Sequence, residues 1–190
     1  MTPDPGFGLY DGWSTAPTVG QMIAPRKGGL TKSGGFDLVV HFHGHEPIRK
    51  EFVKTGNGVV LVGIDLGIGS GAYSNAFASP YVFDKLLESV EAEMSRRSGK
   101  KARIRHLALS SWSAGYGAVE QILQQPAGKK VEALILLDSV HTGYIDEAAE
   151  DAEDRPARAV RRVRSPRGEE ADVHVHEPLV DHPAGLRLDG

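Results

Sequence analysis

Cysteine is missing from all 190 residues, which excludes disulfides and thiolate metal sites. Long apolar runs are missing too, and no stretch approaches the roughly 20 residues of a membrane-spanning helix. The opening residues, Met-Thr-Pro-Asp-Pro-Gly-Phe-Gly, contain no basic segment followed by an apolar one, so no signal peptide is predicted as the chain is written. A cytoplasmic protein is expected, or a secreted one if the true start lies upstream. Charge of one sign is not in excess. A net charge of −3 gives no reason to expect nucleic acid or an anionic membrane as partner. Two further absences are local: no aromatic residue follows Tyr144, and no lysine follows Lys130 although seven arginines do.

What is present suffices for one domain with a real core, at 40% hydrophobic and 25% charged residues. Residues 1–35 are rich in Gly and Pro and read as an N-terminal loop-rich segment, with an apolar patch at Val19–Ala24 that suits an edge strand. From residue 36 to residue 147 strand-like and helix-like patterns alternate. Phe36–His45 and Val59–Asp65 read as buried strands, with a turn at Thr55-Gly-Asn-Gly58 between them. Ser79-Pro80 predicts a helix start, Val82, Leu86, Val90 and Met94 repeat every four residues, and Arg96, Arg97 and Gly99 close the helix. Residues 104–110 give another strand, Val119, Ile122 and Leu123 recur at helical spacing, and Val131–Asp138 gives one more buried strand. The alternation predicts an α/β fold with a parallel sheet flanked by helices.

Ser113 falls where the strand at 104–110 gives way to a helix, between small residues. Serine on such a turn is lifted clear of the sheet and set above a helix N-terminus. The segment Ser111-Trp112-Ser113-Ala114-Gly115 resembles the G-x-S-x-G elbow of the α/β-hydrolases, with Ser111 in place of the first glycine and Gly115 as the last. That resemblance implies an α/β-hydrolase-like core over 36–147 and hydrolysis of an ester or related acyl substrate, with Ser113 as nucleophile. It implies an oxyanion hole from the amides of Ala114 and of His45, the latter in His43-Gly44-His45, which is similar to the family's His-Gly segment. It also implies an acid and a histidine in the chain order Ser, acid, His. Asp138, ending the strand after the nucleophile, fits the acid, and His141 is the nearest base. His174, His176 and His182 arrive late enough in the chain but lack strand or loop signals to position them. No metal or organic cofactor is required, and the oligomeric state leaves no readable pattern.

Other readings of the same residues stay open. Asp138 with Ser139 also suits a plain turn, His43–His45 a strand-end turn, and the whole core a non-catalytic hydrolase-fold protein. His41, His43 and His45 alternate, so along a strand they would share one face and could ligate zinc in a metal-dependent hydrolase. They are similar to the H-x-H-x-D-H motif of metallo-β-lactamase-like enzymes, with His45 at the aspartate and Glu46 at the last histidine. Gly67-Ile-Gly-Ser-Gly-Ala72 has the spacing of a dinucleotide loop, but the next helix is predicted only from Ser79, which leaves the loop as a pocket rim.

Residues 148–190 differ from everything before them, passing from acidic (Glu147 to Asp154) to basic (Arg155 to Arg167) without an apolar stripe. Such blocks read as a disordered tail. A one-base shift of reading frame offers a second account. It gives Asp172-Val-His-Val-His-Glu177 a strand-like composition and, if the arginine codons begin with C, Val160–Arg164 a helix-like one. The chain is therefore expected to be frameshifted shortly after Glu147, hence C-terminally truncated relative to the hydrolase pattern and short of its base.

Overall fold

The computed structural model describes residues 3–139 and two short strands at 163–164 and 170–171. Contacts divide the chain into two units, Met1–Thr142 and Gly143–Gly190. In the second, β-pairing is antiparallel between Val163–Arg164 and Glu170–Ala171. His141, the three later histidines and the expected tail from residue 148 otherwise lie outside the described residues.

The first unit is built on a five-stranded sheet. Its strands are β1 (Gln21–Ile23), β2 (Gly35–Phe42), β3 (Val60–Ile64), β4 (Arg103–Trp112) and β5 (Val131–Leu137), in the order β1-β3-β2-β4-β5. β2 to β5 run parallel and β1 pairs antiparallel with β3 at one edge. The apolar patch near residue 20 thus forms the edge strand for which its composition is suited. Alternation along β2 sends Leu38, Val40 and Phe42 into the larger core, under three helices, and leaves Val39 on the other face. Those helices are α2 (Ser70–Phe77), α3 (Pro80–Ser98) and α4 (Tyr116–Gln124). The opposite face is covered over β2 and β3 by α1 (His45–Thr55) and by the N-terminal loops, which contribute Tyr10 and Trp13. Arg49 of α1 is 4% exposed and ties those loops down through Asp4, the Gly6 carbonyl and a stacking contact on Phe7.

α3 follows its sequence signals closely. Ser79 is extended, Pro80 occupies the first turn where no backbone donor is needed, and Gly99 ends the helix at φ 68°. Phe83, Leu86, Val90 and Met94 bury its inner face.

Three expectations need correction. β2 stops at Phe42 and α1 begins at His45, so only the last three residues of the run expected as strand depart from it, as a bend at His43-Gly44 and the first residue of a helix. Pro47 is accommodated because it falls in the first turn, and Ile48 and Phe52, four apart, pack towards the sheet. An additional helix, α2, opens at Ser70 inside the glycine-rich loop, ahead of the one that begins after Ser79. Its small polar residues carry no periodicity, and the helix is held by two buried side chains, Tyr73 and Phe77. Finally, β5 forms but is not buried. It is the last strand in the sheet, and Leu134, Ile135, Leu136 and Leu137 remain 36–49% exposed. Among the described residues no helix is long and apolar enough to cross a membrane.

Candidate active site

The order of strands creates a crevice. From β2 the chain moves to β3 on one side and then returns to β4 on the other, so the connections diverge between β2 and β4. In open α/β sheets ligands bind at such a switch point, beyond the carboxyl ends of the strands.

Three residues crowd that end of the sheet in an uncommon conformation. His43, Ser113 and Asp138 have φ of 70°, 43° and 49°, and they are the non-glycine residues with positive φ among those described. Each is the first residue after its strand, β2, β4 or β5. A left-handed backbone at a non-glycine residue stores roughly 1–3 kcal/mol and concentrates at functional sites.

Ser113 opens a single 3-10 turn, Ser113–Gly115, that leads directly into α4. The turn lies tight on the end of β2. A Cβ on Gly115 would come within 2.2 Å of the Phe42 carbonyl oxygen, so glycine is required there by proximity. Ser111 fits the position where the elbow pattern has glycine, fully buried and with its hydroxyl unpartnered among the described residues. Ala114 is buried behind Ser113. The Ser113 hydroxyl makes no hydrogen bond among the described residues. Its carbonyl lies 3.3 Å from the Ser139 hydroxyl, which fastens the end of β5 to the elbow.

The His43-Gly44-His45 segment bends sharply beside the elbow. Gly44 has φ 74°, and a Cβ on it would sit 2.5 Å from Cε3 of Trp112, so the bend and the indole fit only around glycine. Gly44 precedes α1, and His45 is its first residue, where a helix leaves amides without intrahelical acceptors. A cleft of about 270 Å³ lies between α1 and the strand ends, with Gly44, Pro47, Ile48, Trp112 and Leu137 among its walls. A larger groove of about 670 Å³, lined by Leu87, Glu88, Glu91, Ile104, Leu107 and Glu132 among others, contains no residue of the elbow.

Imidazoles and a carboxylate cluster at the ends of β2 and β3. His41 Nε2 is 2.7 Å from the His43 carbonyl and Nδ1 is 2.9 Å from the Ser110 hydroxyl. The carbonyl can only accept, so Nε2 carries the proton and Ser110 donates to Nδ1. Burial pushes His41 down to about 4, which leaves it neutral. His43 Nδ1 is 2.9 Å from the Tyr73 hydroxyl and 3.5 Å from Asp65 Oδ1. Tyr73, pushed up to about 12 mainly by burial, is also 3.0 Å from Asp65 Oδ1 and accepts from the Leu66 amide. Burial works to raise the Asp65 carboxyl, but hydrogen bonds from Tyr73 and the Gly44 amide outweigh it and hold the group below its ordinary value.

The alternation of His41, His43 and His45 does not become a shared strand face. His41 belongs to β2, His43 to the bend and His45 to α1, so the three rings do not line one strand face. Among the described residues no group of three or more His, Asp or Glu side chains is placed to hold a metal ion. The glycine-rich loop does carry a helix start, contrary to the sequence expectation, and its Gly67 carbonyl lies 3.1 Å from the hydroxyl of Tyr73 on that same helix.

Of the residues expected from sequence, the fold brings together Ser113, Ala114, Gly115 and the His43–His45 bend, and sets Asp138 on the neighbouring strand end. Asp138 is exposed and has no ion pair or side-chain hydrogen bond among the described residues. Asp65 and Tyr73 were not singled out from sequence. Asp65 closes an apolar strand run as Asp138 does, and that shared position is the signal that could have found it. No protein-family model matches the chain, and a search of curated proteins finds no similar sequence.

Proposed function

We propose that this chain is an α/β-hydrolase-like serine hydrolase acting on ester or related acyl bonds, with Ser113 as nucleophile. One observation carries the reading: Ser113 sits at φ 43° on a tight turn between a parallel strand and a helix, beside the topological switch point. A strained strand-to-helix serine of this kind presents its hydroxyl to a ligand and its following amide to the oxygen that becomes negative. Ser113 Oγ attacks the acyl carbon, and the amides of Ala114 and His45 stabilise the oxyanion. The largely apolar cleft between α1 and Trp112 receives part of the substrate. Asp138 stands at the position of the acid, and His141 lies outside the described residues.

A fluorophosphonate that reacts with activated serines tests the proposal. Covalent labelling of the wild-type chain, lost in Ser113→Ala, is expected. A folded wild-type chain that takes up no label would instead favour a non-catalytic protein with the same fold.

A further inference from the structure

The hydrolase reading needs a base, and the described strand ends hold one that the chain order of the hydrolase pattern does not anticipate. We propose that His43, oriented through Nδ1 by Tyr73 and Asp65, is the general base that takes the proton of Ser113. The proposal rests on Ser113 being the nucleophile.

Position comes first. Asp65, His43 and Ser113 are the first residues after β3, β2 and β4, which are three neighbouring strands in that order. Phe42 pairs with Ile64 on one side and with Ser111 on the other, so His43 stands level with Asp65 and one residue short of Ser113. Adjacent strands are about 4.8 Å apart, so acid, imidazole and hydroxyl are spread across roughly 10 Å, the reach of an Asp-His-Ser relay. The Gly115 contact with the Phe42 carbonyl draws the elbow further onto the end of β2.

Orientation comes second. Tyr73 O–H has acceptors in Asp65 and the Gly67 carbonyl, and its oxygen accepts from the Leu66 amide and from His43 Nδ1–H. That pattern puts the ring proton of neutral His43 on Nδ1 and leaves the lone pair on Nε2. Nε2 has no hydrogen-bond partner among the described residues. The ring lies against the indole of Trp112, tilted by 32° with centroids 5.5 Å apart, and Trp112 immediately precedes Ser113 in the chain. The backbone is fixed as well, because the His43 amide donates to Ile64 and its carbonyl accepts from His41.

The proton inventory closes. As Ser113 Oγ bonds to the acyl carbon, its proton passes to His43 Nε2 and the carbonyl electron pair moves onto oxygen. Collapse of the oxyanion breaks the bond to the leaving group, which takes the proton from Nε2. Water then attacks the acyl-serine, gives its proton to Nε2, and Ser113 leaves with that proton restored. Asp65 faces the transient imidazolium at 3.5 Å and stabilises it. The other polar groups around the ring are Tyr73 from α2, neutral His41 below it, and His45 of α1, whose Nδ1 is 3.4 Å from Asp65 Oδ2.

The test is the rate of fluorophosphonate labelling in full-length His43→Gly, with and without added imidazole. Glycine accepts φ 70° without strain and leaves a ring-sized gap. Labelling is expected to fall about 10²-fold or more and to recover as imidazole is added. Asp65→Asn is the second variant, and its labelling should be slower, with the pH profile displaced to lower pH because the imidazolium has lost its carboxylate. Ser113-dependent labelling that is unchanged in His43→Gly overturns the base assignment and leaves the nucleophile standing. Loss of labelling in a folded His43→Gly chain without imidazole rescue, together with an undisplaced Asp65→Asn profile, also overturns it. A wild-type chain that takes up no label removes the nucleophile and this proposal with it.

Discussion

β3 and β5 are written in nearly the same alphabet, Val60-Leu-Val-Gly-Ile64 and Val131-Glu-Ala-Leu-Ile-Leu-Leu137. Both pair in parallel with a neighbouring strand. Yet every residue of β3 is buried, while β5 is exposed from Glu132 to its end. The difference lies in their surroundings. β3 has β1 and β2 on its two sides, helices above, and α1 with the N-terminal loops below. β5 has β4 on one side and, among the described residues, no strand on the other, where leucine and isoleucine are exposed. Composition therefore reports that a strand is made to be covered, and only the rest of the chain decides whether it is. A long apolar strand at a sheet edge promotes association between chains where that edge is left open.

The comparison can be broken by placing the same charge on both strands. Val62→Lys puts an ammonium where exposure is 0%, and the cost, upwards of about 4 kcal/mol, should leave no cooperative unfolding transition in circular dichroism. A folded Val62→Lys chain would mean that β3 is less enclosed than described.

A smaller effect is expected from pH on the strand between them. His41 of β2 is neutral in the folded chain, with its value lowered to about 4 by burial, whereas an unfolded histidine titrates near its ordinary 6.5. Between those values the unfolded chain binds the extra proton, so stability is full above about 6.5 and falls as pH drops towards about 4. The loss amounts to about 3 kcal/mol at most. Melting temperatures measured across that range should slope downward in the wild type and much less in His41→Gln. Equal slopes would remove His41 as the cause.

The smallest effect on stability belongs to β5. Ile135→Lys, at a side chain 49% exposed, should change the unfolding free energy by no more than about 0.5 kcal/mol. Its effect should appear in light scattering, where the charged edge suppresses association at high protein concentration. A large drop in melting temperature would show that β5 is covered after all.

Legibility from sequence followed the same division. α3 was readable because its cap, its four-residue repeat and its terminal glycine agree with one another, and all three are local. β2, β4 and the elbow were readable for the same reason, as branched runs cut off at small residues. α1 was hidden by a preceding strand pattern and by Pro47, and α2 by residues too small and polar to show a period. Those two helices exist through tertiary packing of Phe52, Tyr73 and Phe77. In the candidate site the strand-to-helix turn at Ser113 was visible because it is local, and the His-Gly bend because glycine marks it. Asp65 was not visible, since its meaning depends on β3 lying beside β2, a pairing between segments some twenty residues apart. Asp138 has the same local pattern and no such neighbours among the described residues.

The closeness of Gly115 to β2 bears on how this protein would look in a saturation-mutagenesis library. Any side chain at that position must displace the end of a central strand, so it would be as intolerant of change as Ser113 itself. A screen for activity alone would place both residues in one class. Scoring the same library for abundance separates them: if Ser113 is the proposed nucleophile, Ser113→Ala is expected to remove activity and leave the fold, whereas Gly115→Ala is expected to disturb the fold itself.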